Sequence, residues 1–315
     1  MEWNFDPVIF NLDLSFIIPI LQFFGFGGDS FVLSPRYYSL MFIGGFFIGL
    51  KYCHSYLREA GKTDEEVEAG FWRLIVGTLV GARLGHCLFY DPIFYLSNPQ
   101  EILYMWNGGL ASHGGFLGIL IATFMYLRTV GGLSFLWLAD LVAAPALLTG
   151  SFIRIGNLLN SEIIGRPTDV PWAFVFKRVD DVPRHPSQLY ESAGYFVIAM
   201  ALFFFNKNYR EKWPLGRVLG ITFVFGWAWR IFVEFFKENQ EAFEQGLVLN
   251  MGQLLSVPFI LFGLYLISGK IHQNSFFNFM TKPFPVKNSA SATLNKSSTA
   301  KKTATTVTKP KKKKK

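Results

Sequence analysis

The short stretch RIGNLLNSEIIGRP contains more polar side chains than the apolar run that precedes it. It holds two arginines, a glutamate and two asparagines: Arg154, Arg166, Glu162, Asn157 and Asn160. Arg154 and Asn157 are three residues apart, which puts their side chains on one face of a helix. Guanidinium and amide donors sharing a face are suited to binding an anion such as a phosphate.

Other polar side chains lie inside or beside apolar runs, in PRYYSLMF, GARLGHCLFY, SHGGFLG, RHPSQLYE, WRIFVEFFKE and NMGQLLS. The side chains of interest there are Tyr38, Arg83, His113, His185, Gln188, Glu191, Arg230, Glu234, Asn250 and Gln253. Ionisable groups in apolar segments are costly and usually functional. The sequence has no metal-ligand spacing such as HExxH, so we predict a site that binds an anion, with no metal.

The composition predicts an integral membrane protein. About half of the 315 residues (51%) are hydrophobic, with 35 Phe and 8 Trp. Such aromatic content is unusual for a soluble chain of this length. Cys53 and Cys87 both lie in apolar runs, which favours neither a disulfide framework nor a metal cluster.

The predicted fold is all-α, with about seven transmembrane helices. A span needs about 20 mainly apolar residues. Seven windows qualify, at about 37–56, 71–90, 109–128, 134–155, 188–206, 215–235 and 250–269. Residues 1–36 are predicted as an N-terminal interfacial or extracytoplasmic arm, and 37–270 as the transmembrane catalytic domain. The connection 156–187 is predicted as a small extracytoplasmic head in which PWAFVF forms a strand or hairpin.

Basic residues set the predicted orientation. An N-terminus outside the cytoplasm places most of the Lys and Arg residues between spans on the cytoplasmic side. The tail, 271–315, is then cytoplasmic, Lys-rich and disordered, and contributes much of the net charge of +8. It is either attracted to anionic lipid or simply solvated. Because no folded basic domain accompanies the tail, a nucleic-acid partner is not expected.

This topology brings the polar groups of all seven windows to one outer layer. Taken singly, several have ordinary explanations: Tyr38 could anchor a helix at the interface, and Arg230 with Glu234 could be a structural ion pair. His113 could be a satisfied hydrogen-bonding residue at a helix start. Arg83 lies too deep for a simple anchor. Together they predict an anion site in the outer leaflet, which suggests a phospholipid headgroup.

In these motifs, from PRYYSLMF to NMGQLLS, the chain resembles the bacterial prolipoprotein diacylglyceryl transferases. The central motif of that family matches RIGNLLNSEIIGRP, with Gly165 at its expected place. One departure is His86, where an aromatic residue such as Tyr is more usual. The resemblance implies transfer of the diacylglyceryl group of phosphatidylglycerol to the lipobox cysteine of a preprolipoprotein, with release of glycerol 1-phosphate. It implies a bacterial inner-membrane enzyme with no cofactor, whose partners are these two substrates and the surrounding membrane lipids.

Given this reaction, residue types and spacing suggest roles for individual residues, and the resemblance favours Arg154 most. Arg154 and Asn157 would bind the phosphatidylglycerol headgroup, and Arg230, oriented by Glu234, would add a second cation. His113 would be the base that deprotonates the thiol, unless the arginines alone lower the thiol pKa. Glu162 would orient Arg154 or Arg166. The remaining pocket residues would be Tyr38, Arg83, Gly165, His185, Gln188 and Glu191.

Three other functions remain as alternatives. A lipid transporter would need a polar path through the inner half, where the sequence offers little beyond Asp140. An intramembrane serine protease would need Ser112 or Ser151 beside a histidine from another helix. A purely structural bundle would leave the charged residues within the spans unexplained.

Overall fold

The computed structural model describes residues 1–19, 32–104, 109, 111–238 and 251–286. Within these the protein is mostly helical, as predicted. The helices are α1 (Tyr37–Glu59), α2 (Asp64–Phe89), α3 (Pro92–Ser97), α4 (Ser112–Val130), α5 (Phe135–Asn160), α6 (Ser187–Tyr209), α7 (Arg217–Glu234), α8 (Met251–Ile267) and α9 (Asn278–Thr281). Each of the seven predicted windows coincides with a long helix, namely α1, α2 and α4 to α8.

Three helical segments in the described residues are long and apolar enough to cross a membrane: His113–Val130, Phe135–Asn160 and Ser187–Tyr209. A shorter apolar helix covers Gly252–Ile267. The other long helices carry charged residues that lower their mean hydropathy, such as the acidic first turn of α2. The apolar helices are those of a membrane protein, and the count of seven spans stays a prediction.

Five short strands accompany the helices: β1 (Glu2–Trp3), β2 (Leu12–Asp13), β3 (Val32–Leu33), β4 (Phe174–Phe176) and β5 (Pro183–Arg184). The strand predicted in PWAFVF is β4, which pairs antiparallel with β5 as a hairpin. The other edge of β4 pairs in parallel with β1. The chain's first residues are thereby tied to the segment between α5 and α6, which the sequence did not predict.

Several predicted features lie partly outside the described residues, including residues 20–31 of the N-terminal arm and residue 110 of the third window. The Lys-rich tail, predicted to begin at residue 271, is described only as far as residue 286, and Asn250 of NMGQLLS is not described. Ile271 is fully buried, α9 follows it, and Phe284 donates its backbone N–H to the carbonyl of Leu133 at 3.0 Å. The first part of this segment is therefore structured.

The chain divides into two compact units. Unit 1 comprises Met1–Val67 and Leu136–Thr281, and unit 2 comprises Glu68–Phe135 and Lys282–Lys315. Unit 2 is organised by close packing of α2 on α4. A β-carbon on Gly77 would lie 2.8 Å from the carbonyl oxygen of Gly118, and one on Gly85 would lie 2.7 Å from the Cα of Gly114. Small residues at four-residue intervals therefore let the two helix backbones approach closely.

In unit 1 the start of α7 is capped by a carboxylate from another helix. Asp140, on α5 and only 4% exposed, accepts hydrogen bonds from the backbone N–H groups of Gly216 and Leu219, each at 2.7 Å. The first N–H groups of a helix have no partner within the helix, and its N-terminus favours negative charge. Gly216 has φ +88°, so this turn requires a residue that tolerates the left-handed region.

Replacing Asp140 with alanine is expected to destabilise the protein by about 2–3 kcal/mol, because a cap is lost and two buried donors are left unpaired. Thermal unfolding of the purified protein in detergent measures the effect. Asp140→Asn keeps one acceptor and should lose less. Equal melting temperatures for Asp140→Ala and the wild type would contradict the capping role.

Candidate active site

Glu191, one turn into α6, gathers three cations in unit 1. Its side chain is fully buried. Oε2 lies 3.0 Å from Nε of Arg154 and 2.8 Å from Nζ of Lys237, while Oε1 lies 3.5 Å from NH1 of Arg230. Oε1 also accepts a hydrogen bond from the hydroxyl of Tyr195 at 2.8 Å. One carboxylate thus fixes side chains from α5, α6, α7 and the turn that follows α7.

Glu234, in the last turn of α7, is the second carboxylate of this cluster. Its Oε1 lies 3.1 Å from Nζ of Lys237 and 3.5 Å from NH2 of Arg230, so the expected i,i+4 pair with Arg230 is present. Gly252 of α8 makes room for it, since a β-carbon there would lie 2.7 Å from Glu234 Oε1. Gln253 joins the same two helices by donating to the carbonyl of Ile231 at 3.4 Å.

The accessible part of the cluster is cationic. The side chains of Arg154 and Arg230 are 17% and 27% exposed, whereas those of Glu191, Glu234 and Lys237 are between 0% and 9% exposed. Three cations against two carboxylates leave one net positive charge. The two guanidiniums therefore form a reachable cationic surface held on a buried carboxylate base, an arrangement that can bind an anion from outside.

Asn157 links Arg154 to Glu162. Arg154 NH1 donates to the Asn157 carbonyl oxygen at 3.2 Å, and the Asn157 amide donates to Glu162 Oε2 at 3.2 Å. Asn160 donates to the other carboxylate oxygen at 3.1 Å. Glu162 was expected to orient Arg154 or Arg166. It contacts Asn157, which in turn contacts Arg154, so its effect on Arg154 is indirect. Arg166 donates instead to the backbone carbonyl of Lys237 at 2.8 Å.

The backbone on either side of Glu162 has an unusual conformation. Ser161 and Ile163 have φ values of 57° and 55°, in the left-handed region. For a β-branched residue such as Ile163 this is a true outlier, and such conformations persist where surrounding contacts enforce them. Here α6 supplies those contacts: Gln188 donates to the carbonyl of Glu162 at 2.7 Å, and Ser187 to that of Ile163 at 3.0 Å.

Two predicted pocket residues have close packing contacts. A β-carbon on Gly165 would lie 2.7 Å from the Cβ of His185 and 2.8 Å from the carbonyl oxygen of Phe236, so only glycine fits where these segments meet. Tyr38 packs its ring on Gly156 of α5, where a β-carbon would lie 2.6 Å from Tyr38 Cδ2. The substrate contacts predicted for Tyr38 and Gly165 stay predictions.

His185 lies just before α6, beside Tyr190. Its Nδ1 is 3.2 Å from the Tyr190 hydroxyl. Burial lowers the pKa of His185 below its ordinary value, because a charged imidazolium is disfavoured away from water.

Arg83 and His113 lie in unit 2. Arg83 is 3% exposed and donates to the backbone carbonyls of Glu101, Ile102, Tyr104 and Gly109 at 2.6 to 3.2 Å. These bonds give Arg83 a structural role in holding the chain after α3. His113 is the second residue of α4 and is exposed. A headgroup contact for Arg83 and a catalytic role for His113 stay predictions.

Lys237 is a member of the cluster that sequence reasoning missed. It is 3% exposed and touches both carboxylates. A signal was present in WRIFVEFFKE, where Lys237 follows Arg230 by seven residues and Glu234 by three, a spacing that would put all three on one face of a continuous helix. The helix ends at Glu234, and Lys237 reaches the cluster from the turn that follows. Tyr195, four residues after Glu191, was missed in the same way.

Ser151, a nucleophile in the protease alternative, is engaged elsewhere. Its hydroxyl donates to the backbone carbonyl of Ser192 at 2.9 Å and lies 2.9 Å from the Ser192 hydroxyl. A serine protease needs its nucleophile hydrogen-bonded to a base. The contacts of Ser151 therefore give that alternative no support.

These features define a helical membrane protein with a buried polar cluster in which two guanidiniums remain accessible. Residues 30–268 match the family described as prolipoprotein diacylglyceryl transferase. The chain belongs to this family of transferases, as its motifs led us to expect.

Curated relatives support the same conclusion. The chain is 41% identical over 265 residues to a protein of Tolumonas auensis, covering 84% of this chain and 95% of the relative. It is 40% identical over 277 residues to one of Bacteroides fragilis, covering 84% and 93%, and 43% identical over 258 residues to one of Chloroherpeton thalassium, covering 80% and 95%. All three carry the name phosphatidylglycerol–prolipoprotein diacylglyceryl transferase.

Proposed function

We propose that this protein transfers the diacylglyceryl group of phosphatidylglycerol to the lipobox cysteine of a preprolipoprotein, the first step of lipoprotein maturation. Membership of the family and the name shared by the relatives support this activity. The observation that carries the site assignment is the pair of accessible guanidiniums, Arg154 and Arg230, held on the buried carboxylate of Glu191.

The reaction forms one bond and breaks one. The cysteine sulfur attacks the glyceryl carbon that carries the phosphate, and the bond from this carbon to the phosphate oxygen breaks. The electron pair goes to the phosphate oxygen, so a phosphodiester with one negative charge leaves as a phosphomonoester, glycerol 1-phosphate. The thiol proton goes to a base. Cations placed at the phosphate stabilise the charge that develops there as the bond breaks.

Arg154 and Arg230 would supply these cations. Because Arg154 uses Nε for Glu191 and NH1 for Asn157, its guanidinium plane is fixed before substrate binds. Pre-oriented donors avoid a reorganisation cost in the transition state. Lys237, held behind them on both carboxylates, adds positive charge without being exposed. Glu162 acts through Asn157 as a positioning residue.

The membrane arrangement is part of the proposal. Seven spans would place the N-terminus outside and the C-terminus in the cytoplasm, with β4 and β5 in an extracytoplasmic head and the site toward the outer leaflet of the bacterial inner membrane. The basic residues between the helices support this orientation. One proposed substrate is itself a membrane lipid and the other is membrane-inserted, and both suit an enzyme built of apolar helices.

The proposal is tested by incubating the purified protein with phosphatidylglycerol and a lipobox peptide. We expect a mass gain of one diacylglyceryl group on the cysteine and release of glycerol 1-phosphate in equal amount. A peptide with serine in place of the cysteine is the matched control. Consumption of phosphatidylglycerol without modified peptide would contradict the proposal.

For His113 we expect a pH-dependent effect. If its imidazole accepts the thiol proton, His113→Gln should lower turnover most near neutral pH, by about 10²–10⁴-fold. The loss should shrink toward pH 9, because a thiol with a reference pKa of about 8.5 then ionises unaided. Turnover measured from pH 6 to 9 tests this. An equal loss at every pH would show that His113 binds substrate and does not take the proton.

A further inference from the structure

Backbone hydrogen bonds connect the β4–β5 hairpin of unit 1 to the segment that carries Lys237. Three short segments pair edge to edge in this connection, which we call the hairpin ladder: 183–185, 164–168 and 236–238. The N–H of His185 donates to the carbonyl of Arg166 at 3.0 Å, and the N–H of Arg166 donates to the carbonyl of Phe236 at 2.9 Å. The backbone of Lys237 is therefore attached through the ladder to β5.

Arg184, at the end of β5, ties the three segments of the ladder together with its side chain. Its NH1 donates to the carbonyl of Gly165 at 3.2 Å and to Glu238 Oε2 at 2.9 Å. Asp180, between β4 and β5, holds the same guanidinium through Nε at 3.0 Å and NH2 at 2.5 Å. The side chain of Arg184 is only 9% exposed, and its planar guanidinium is fixed by these contacts. Arg184 thus connects the hairpin to the residue that follows Lys237.

The position of Lys237 depends on this ladder, because the residue lies beyond the end of α7 at Glu234. The amino group of Lys237 lies 2.8 Å from Glu191 Oε2 and 3.1 Å from Glu234 Oε1. Its backbone N–H has only a long contact, 3.3 Å from the Glu234 carbonyl, whereas its own carbonyl accepts from Nε of Arg166, a ladder residue, at 2.8 Å. A lysine side chain is flexible, so its backbone must be held for the amino group to stay between two carboxylates.

We propose that Arg184 is a positioning residue for diacylglyceryl transfer, which holds Lys237 against Glu191 by way of the hairpin ladder. The hydrogen bonds and ion pairs of Arg184 in the described residues go to the ladder and to Asp180, so its effect on the cluster is indirect. Without Arg184 the amino group of Lys237 is free to move away from Glu191. The two accessible guanidiniums then neutralise that carboxylate alone, and less positive charge acts on the phosphate. This role rests on the proposed function and deepens it.

The test compares two substitutions of the same kind in the full-length protein. Arg184→Gln removes the guanidinium from the ladder. Lys177→Gln is the matched control, because it removes a cation from the same hairpin whose ion-pair partners in the described residues are Asp181 and Glu2. Each substitution is also combined with Lys237→Met, which keeps both accessible guanidiniums and should therefore keep a measurable rate. The measurement is kcat and KM for phosphatidylglycerol with the lipobox peptide saturating.

We expect Arg184→Gln to lower kcat by about 10–100-fold, the loss that a displacement of about 1 Å can cause, and to change KM little. Lys237→Met should lower kcat at least as much, and Lys177→Gln should leave it unchanged. With Lys237→Met already present, Arg184→Gln should lower kcat little further, because both changes act on the same interaction. Unchanged kcat in Arg184→Gln, an equal loss in Lys177→Gln, or losses that multiply in the double variant would overturn the proposal.

Backbone amide exchange is a second measurement, and it does not depend on activity. The N–H of Glu238 donates to the carbonyl of Ile164 at 3.3 Å within the ladder, so its exchange should be about tenfold faster in Arg184→Gln and unchanged in Lys177→Gln. A fall in kcat without faster exchange would also overturn the proposal. If the wild type modified no peptide but exchange became faster, the proposed function would fail and the hold of Arg184 on Lys237 would stand. If the wild type modified peptide and Arg184→Gln changed neither quantity, only the positioning role would fail.

Melting temperatures show whether Arg184→Gln folds. If it does not, Glu238→Ala decides, because it removes only the half-exposed end of the same ion pair. There kcat should fall by about two- to fivefold, and again not in addition to Lys237→Met. Unchanged kcat in Glu238→Ala would then overturn the proposal.

Discussion

Replacing Arg154 with alanine is expected to lower diacylglyceryl transfer by about two to three orders of magnitude. Removing one pre-oriented donor to a developing negative charge typically has this effect. Arg154 is held by two contacts, Nε on Glu191 and NH1 on Asn157. The measurement is kcat and KM for phosphatidylglycerol with the lipobox peptide saturating. The loss should fall mainly on kcat, since the charge grows as the bond to the phosphate breaks.

Two further variants make this prediction specific. Arg154→Lys keeps the charge but cannot contact Glu191 and Asn157 at once, so it should recover only part of the rate. Arg178→Ala removes an exposed arginine between β4 and β5 and should leave transfer unchanged. Normal turnover in Arg154→Ala would refute the headgroup role, and full activity in Arg154→Lys would show that only the charge matters.

Glu191→Ala is expected to destabilise the protein by about 3–5 kcal/mol and to abolish transfer. Removing one partner of a buried ion pair leaves the other charge uncompensated. Here the buried amino group of Lys237 would keep only Glu234, and Arg154, Arg230 and Tyr195 would lose their shared anchor. Thermal unfolding and the transfer assay measure the two effects separately.

A charge-balanced double variant distinguishes an electrostatic role from a packing role. Glu191→Gln alone should be destabilising, since a buried lysine loses its closest carboxylate. Combining it with Lys237→Met removes both charges at similar volume, and such replacements are often neutral. The double variant should therefore melt at a higher temperature than Glu191→Gln. Simple addition of the two losses would argue against a direct interaction between Glu191 and Lys237.

The helices could be predicted because a long run of apolar residues by itself indicates a helix that could span a membrane. All seven windows became helices, with ends within a few residues except where charged turns extend them, as in α2. The β4–β5 hairpin was likewise foreseen from PWAFVF between polar turns. The pairing of β1 with β4 could not be foreseen, because it joins two-residue stretches far apart in the chain. No local pattern records such a contact.

For the site, the sequence predicted several of the residues that take part but not which side chains contact one another. Arg154, Asn157, Arg230 and Glu234 do come together in unit 1, and spacing on α5 and α7 accounts for two of their contacts. The central place of Glu191 was not visible, since three of its partners come from other elements. Arg83 was predicted as a pocket residue, but the contacts that the structure shows for it are structural. Its acceptors are backbone carbonyls, which every residue has, so sequence alone cannot distinguish a loop-holding arginine from one that binds a ligand.

The left-handed backbone at Ser161 and Ile163 has a consequence for how the enzyme responds to heat. Ser187 and Gln188 help to hold this conformation through the carbonyls of Ile163 and Glu162. If those two bonds open, the turn relaxes, and Glu162 no longer fixes Asn157 and Arg154. Such local opening requires less free energy than global unfolding. Warming should therefore reduce the transfer activity at temperatures where the helices are still folded, and the activity should return on cooling.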